Sequence, residues 1–539
     1  MLLADDYWQD ISTRLQALET TDLTVEEFDA WLQRWDDLLK SIVERYSTLK
    51  RAKYLNIQDT AADQAYNDFV DRMQATQQTA RQMLAQKLLR LPDFVPPPHL
   101  AQLARQVRAD SELAHPANIP LQAEINTFAN TYRDLSWETE KKADDAIAAL
   151  APSERPSADQ LRQMRAQHWL AERETLNELL LAILPRRRQL ARNLGLPNYQ
   201  AYRWRELYRL DYTPADNQRF HAAVATQLAP RLRSYHRVSA ALPERSPAEL
   251  AAAARAILGQ VDQEFGSFFE MLYNRGHIDI GSRPEKAPVN EEWCFPQTGL
   301  PFVMLRADLL TLLHEFGHGY HDYLSLTRQK LLVNMGAPDE FSECAAMSMM
   351  MLCYPHLTAG GYSAEEAHLM VYDNLAFCLL SIPRYVLHDA FEQWVYSEAP
   401  ETAQPHDLDA KWLELCEQFL PDEDWGGQEA LRATGWQRNT WSLYRMPFYM
   451  MSYPLALLGA FQIWRNALTN QAQAVQSYKA ALALGNTEPL PALFEAAGVQ
   501  FPLHPQVVEE ITAFVTAYLD QHPVPPVSAI STRPPQPPG

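Results

Sequence analysis

Three histidines stand close together in HEFGHGYHD: His314, His318 and His321. At about 3.6 residues per turn, all three project from one side of a helix, and the two that are four apart can share one ion. Glu315 lies about 100° round from His314, which sets its carboxylate beside the ion's open position. A carboxylate there can take a proton from a water that a metal has acidified. The chemistry written into HEFGH is therefore metal-assisted hydrolysis, with His314 and His318 as ligands and Glu315 as general base. His321 and His318 could form a second pair. But the base follows His314, and one ion cannot comfortably use three residues spread over about 10 Å of helix axis. His321 reads as a supporting or core residue.

A zinc site of this kind needs a third protein ligand. A metzincin would place a glycine three residues after the second histidine and another histidine three beyond; those positions are His321 and Leu324, so that pattern fails. The alternative is an acid on a second helix, and GAPDEFSECAAMSMM offers Asp339, Glu340 and Glu343. Pro338 suits a first helical position. Asp339 and Glu340 then occupy the first turn, where acids face the positive end of the helix dipole. Glu343 lies deeper, among Phe341, Cys344, Ala345, Ala346 and Met347, where a carboxylate needs a partner and a metal is a good one. This favours Glu343 over Glu340.

The elements that carry these residues are helical in pattern. Asp308 is a fitting N-cap for the HEFGH helix, and Leu309, Leu312, Leu313 and Phe316 give it apolar faces. Gly317 and Gly319 each cost about 1 kcal/mol against alanine within a helix, which implies that something approaches closely there. Phe28, Trp31, Leu32, Trp35, Leu38, Leu39, Ile42 and Tyr46 repeat at helical spacing after a Thr24–Glu27 capping box, a stripe that reads as core. Similar stripes run over 60–90, 158–193, 217–240, 247–275, 363–397, 455–482 and 505–520. The Gly- and Pro-rich stretch 276–301 reads instead as loops with one or two short strands just ahead of the metal motif. Prolines mark breaks at 91–100, 151–157 and 211–216, and no repeat of solenoid length is found. The expected layout is an N-terminal helical lobe over 1–210, a catalytic lobe over 211–521 and a Pro-rich disordered tail over 522–539.

The bulk composition narrows the partners. Of 539 residues, 67 are acidic and 47 basic, giving a net charge of −20. That argues against nucleic acid, which needs a basic face, and against an anionic membrane surface. No apolar run approaches the ~18 residues of a membrane span. The five cysteines are odd in number and irregularly spaced, which disfavours a disulfide framework and a cysteine zinc site. The acidic start MLLADDYWQD has no signal-peptide pattern. Together these point to a cytoplasmic, reduced protein whose oligomeric state the sequence leaves open.

The chain resembles the thimet oligopeptidase and oligoendopeptidase F family of zinc metallopeptidases, on its bacterial oligoendopeptidase F side. The family's ligand glutamate follows the second histidine by 25 residues, which falls on Glu343 within EFSECAAMSM. RPEKAPVNEEWC at 283–294, DAFEQWVY at 389–396 and WQRNTWSLYRMPFYMMSYPLALLGAFQIW at 436–464 resemble further family segments. The resemblance implies a mainly α, two-lobed peptidase with a deep central channel and only a small β element near the zinc site. It implies one zinc ion per chain held by His314, His318 and Glu343, and hydrolysis of internal bonds in short peptides. Tyr453, with Tyr449 second, would be the phenol that steadies the oxyanion. One family histidine is missing: Ser442 stands at its position, with Trp441 beside it, and Met451 replaces a common tyrosine. The secondary hydrogen-bonding set is thereby altered. Two other readings compete: a helical HExxH carboxypeptidase of the Taq type, and a catalytically weakened zinc-dependent peptide-binding protein.

Overall fold

The repeated apolar stripes become helices wherever a cap or proline lets them start and a break lets them stop. The computed structural model describes residues 4–91, 95–150, 158–238, 244–306, 308–329, 331–423, 425–438 and 442–524. The connector 151–157, Trp441 and residues 525–539 of the Pro-rich tail lie outside this set. The architecture is mainly α with one three-stranded sheet.

The first aromatic stripe is core. Trp31, Trp35, Leu38 and Ile42 are wholly buried in the helix Phe28–Leu55. The indole N–H of Trp31 donates to Leu18 O at 3.0 Å and that of Trp35 to Ala80 O at 2.9 Å, tying in the helices Ala4–Thr20 and Thr60–Arg90. The Thr24–Glu27 pair forms (Thr24 Oγ1 to Glu27 Oε2, 2.9 Å), but it braces a turn just ahead of the helix, which begins at Phe28. This apolar cluster reaches Leu331, in the loop after the HEFGH helix.

A second, larger core runs from Ile125 to Leu519. At its centre lie the helices Leu309–Gln329, Asp339–Leu352 and Ser452–Leu482. The last two touch closely, since a Cβ added to Gly459 would lie 2.7 Å from Cys344 Sγ. The stripe over 217–240 does not hold as one helix: the α-helix ends at Ala223 and passes through a π turn into a 3-10 turn over Ala229–Ser234. The stripe over 247–275 splits at Asp262, whose carboxylate accepts from Glu264 N and restarts the helix.

The non-helical stretch before HEFGH holds three strands, two within 276–301 as expected and a third that begins at its end: β1 (Ile278–Ile280), β2 (Glu291–Phe295) and β3 (Leu300–Leu305). The order is β1-β3-β2, with β3 parallel to β1 and antiparallel to β2. Lys286, within RPEKAPV, is 4% exposed, and its ammonium donates to Asp279 O, Gly281 O and Leu305 O at 3.0, 2.9 and 2.7 Å. It pins the β1–β2 loop to the sheet on which the HEFGH helix rests.

Candidate active site

The helix Leu309–Gln329 starts as its sequence predicts: Asp308 accepts from Leu310 N and Thr311 N, both at 3.1 Å. Its two glycines mark contacts. A Cβ on Gly317 would lie 2.7 Å from Ala346 Cα in the neighbouring helix, and one on Gly319 would lie 3.0 Å from Pro301 Cβ on β3. The helix is thus clamped between the second acidic helix on one side and the sheet on the other.

That clamp brings His314, His318 and Glu343 together. One ligand-type atom from each lies within 4.8 Å of the others, a grouping found for no other residues among those described. Glu343 Oε2 is 3.7 Å from His314 Nε2 and 3.8 Å from His318 Nε2, and the two rings stand at 88°. Burial pushes the His314 imidazolium down to about 4, and burial with the neighbouring histidines pushes His318 further. Both rings are therefore neutral, as metal ligands must be. Two imidazoles and a carboxylate converging on one point fit a single divalent ion with a position left open.

Glu315 is 8% exposed. Burial, then the charge of Glu343, raises its carboxyl to about 8, and burial with Asp339 raises Glu343 to about 7. Such shifts suit a group that must hold and release a proton near neutrality. His321 is fully buried against Phe341 and lies outside the trio.

Of the acids near Glu343, Glu340 is engaged elsewhere. The helix begins at Asp339, so Pro338 stands one place before the predicted first position. Glu340 is not a solvated first-turn acid. It is 4% exposed and accepts from Arg209 Nε and the Tyr212 hydroxyl, both at 2.8 Å. Tyr449 and Tyr453 come from the segment leading into Ser452–Leu482; their rings meet edge to face at 5.7 Å and both feel the charge of Glu343. Their hydroxyls lie within hydrogen-bonding reach of each other, and burial first, then neighbouring charge, raises both. Ser442 is fully buried ahead of this segment.

Two groups escaped the sequence reading. Tyr385, on the helix Ala364–Ser397, stacks on Tyr453 with ring centres 4.8 Å apart. Glu392, on the same helix and 1% exposed, accepts the N–H of Phe448, whose φ of 66° lies in the left-handed region. Arg187 donates to the carbonyls of Leu443 and Tyr444, and Arg203 to that of Pro447 at 3.2 Å. No short sequence pattern links these residues to the tyrosine segment; only the tertiary fold does.

Residues 282–512 match the sequence profile of peptidase family M3. Among curated proteins, none matches this chain by sequence. The fold is similar to the solved structure of "PZ peptidase A with inhibitor 2", with a TM-score of 0.83 at 19% identity, covering 96% of this chain and 98% of that one. It is also similar to oligoendopeptidase F from Enterococcus faecium (TM-score 0.60, 14% identity, 96% and 98% covered). An M32 carboxypeptidase from Deinococcus radiodurans shares it more distantly (0.58, 12%, 92% and 99%). The chain thus has the helical, two-lobed fold of these peptidase structures, a match to the M3 profile over 282–512, and a candidate metal centre on two facing helices. Among the described residues no helix is long and apolar enough to cross a membrane.

Proposed function

We propose that this chain is a zinc peptidase that cleaves internal bonds of short peptides. The observation that carries the reading is the convergence of His314, His318 and Glu343 within 4.8 Å, with buried Glu315 beside them. His314, His318 and Glu343 hold one zinc ion, which when bound polarises a carbonyl and lowers the pKa of water to about 7. Glu315 accepts a proton from the attacking water and delivers it to the leaving amine. The Tyr453 hydroxyl donates to the developing oxyanion, and Tyr449 holds the Tyr453 ring and hydroxyl in place. Five buried free thiols fit a reducing, cytoplasmic setting.

The test pairs metal analysis with mass-spectrometric cleavage of a mixed oligopeptide pool. One zinc per chain and chelator-sensitive cleavage at internal bonds are expected. Glu315→Gln should keep the zinc and lose nearly all turnover; near wild-type turnover in that variant rejects the mechanism. A carboxypeptidase shares the fold, so the products decide between them: release of single C-terminal residues alone would favour the exopeptidase.

A further inference from the structure

A cavity of about 530 Å³ opens beside His314, and one face of the helix Ala364–Ser397 forms its wall. Met370, Asn374, Cys378, Ser381 and Tyr385 succeed one another along that face at steps of three or four residues, the spacing of one helical stripe. Before Tyr385, Asn374 Oδ1, the Ser381 hydroxyl and the Asp373 carboxylate are committed within the protein. Asn374 Oδ1 accepts from the Tyr354 hydroxyl, Ser381 Oγ donates to Phe377 O at 2.7 Å, and Asp373 pairs with Arg237 at 2.7 Å.

Tyr385 differs. It is half-buried, and its hydroxyl makes no hydrogen bond among the described residues. Its ring lies nearly parallel to that of Tyr453, at 25°. Burial, then Cys378 and Glu343, pushes its hydroxyl up to about 12, so it stays protonated and lies within reach of the Glu343 charge. A protonated phenol, held by stacking and facing the cavity that His314 opens into, is a donor without an acceptor among the described residues.

We propose that Tyr385 is a second substrate-contacting phenol, which donates its hydroxyl to the carbonyl oxygen of the peptide bond being cleaved, alongside Tyr453. This rests on the peptidase reading above. It differs from a purely structural role, in which the ring alone supports Tyr453.

Tyr385→Phe separates the two, because it keeps the stacked ring and removes only the hydroxyl. The expected result is a fall in kcat/KM of about 10²-fold, carried mainly by kcat, as for loss of one oxyanion donor. Zinc content and the circular dichroism spectrum should be unchanged. A phosphinic peptide, which mimics the tetrahedral state, should lose affinity by a similar factor, whereas a cleaved product peptide should bind as before. An active wild type with an unimpaired Tyr385→Phe variant overturns the proposal alone. So does equal weakening of the phosphinic and product peptides. A wild-type protein that cleaves no peptide with zinc bound overturns the peptidase reading and this proposal with it.

Discussion

Gly317 and Ala346 bring two helices into backbone contact: a side chain on Gly317 would begin 2.7 Å from Ala346 Cα and 3.1 Å from its carbonyl oxygen. Gly317 immediately precedes His318, and Ala346 lies one helical turn beyond Glu343. The closest approach of the helices therefore falls beside the ligand trio and sets the distance between its two halves. Gly317→Ala should force the helices apart, costing about 1–3 kcal/mol of stability and weakening zinc affinity by about tenfold or more. Gly319→Ala meets the Pro301 ring at 3.0 Å, away from Glu343, and should affect metal less. Chelator competition and thermal melts on both variants check the pair; equal metal loss would reject the spacer role of Gly317.

Glu340 and Glu343 lie on one helix turn but answer to different partners. Glu343→Ala should abolish stoichiometric zinc binding; unchanged zinc content would reject it as a ligand. Glu340→Ala should keep zinc yet destabilise the fold by about 3–5 kcal/mol, because the Arg209 guanidinium would be left buried without its partner. Metal content and chemical denaturation of the two variants separate the roles.

Zinc binding should also depend on pH in a defined window. In the metal-free protein Glu315 and Glu343 sit at about 8 and about 7, raised first by burial. Both are raised above their unfolded values. Their contribution to stability is full below about pH 4.5 and is lost as pH rises through 7 to 8. A bound cation reverses this by favouring the carboxylates, so affinity should climb between about pH 6 and 8 and level off above. His314, pushed down to about 4, releases nothing in this window. Calorimetry in buffers of different ionisation enthalpy should show proton release at pH 6.5 that disappears by pH 9. Release centred below pH 6 instead would assign it to the histidines.

The grouping of His314, His318 and Glu343 was legible because its signals are local. His314, Glu315 and His318 share one helical turn and a half, and Glu343 stands out as a carboxylate in an apolar run. The two glycines announced close packing, and the structure places a helix against one and a strand against the other. The reading of Glu340 was incomplete because Arg209 and Tyr212, which bury and satisfy it, lie over 100 residues away. The helix Asn118–Ala148 went unread because its exposed face is long and its apolar residues are sparse. Tyr385 and Glu392 were invisible for the same reason as Arg209: their role comes from a crossing of distant elements, which periodicity cannot report.

Glu392 should prove a positioning residue for the tyrosine segment. Phe448 is held in the left-handed region, which a non-glycine residue adopts only where its surroundings impose it. Glu392 accepts its N–H in the core. Glu392→Ala leaves that donor buried and unpaired, a cost of about 1–3 kcal/mol, and should lower kcat with little change in zinc content. Glu392→Gln retains a carbonyl acceptor and should recover most of the activity. Failure of the Gln variant to recover any would point to a role for the charge rather than the hydrogen bond.

Tyr453 and Tyr449 are linked in series, and their variants should differ accordingly. The Tyr449 hydroxyl bonds to that of Tyr453, and Tyr453 sits between it and Tyr385, at 5.7 and 4.8 Å between ring centres. Burial and the charge of Glu343 push the Tyr453 hydroxyl up, so it stays protonated at neutral pH and can donate. Tyr453→Phe removes the donor itself and should lower kcat by about 10²–10³, or about 3–4 kcal/mol of transition-state stabilisation. Tyr449→Phe removes only a neighbour's hydrogen bond, typically worth about 1 kcal/mol, and should cost about tenfold or less. The double variant should be no worse than Tyr453→Phe alone, since the bond that Tyr449 makes has no purpose once its partner is gone. Steady-state kinetics on the three variants check the order, and additive losses would place both hydroxyls on the substrate.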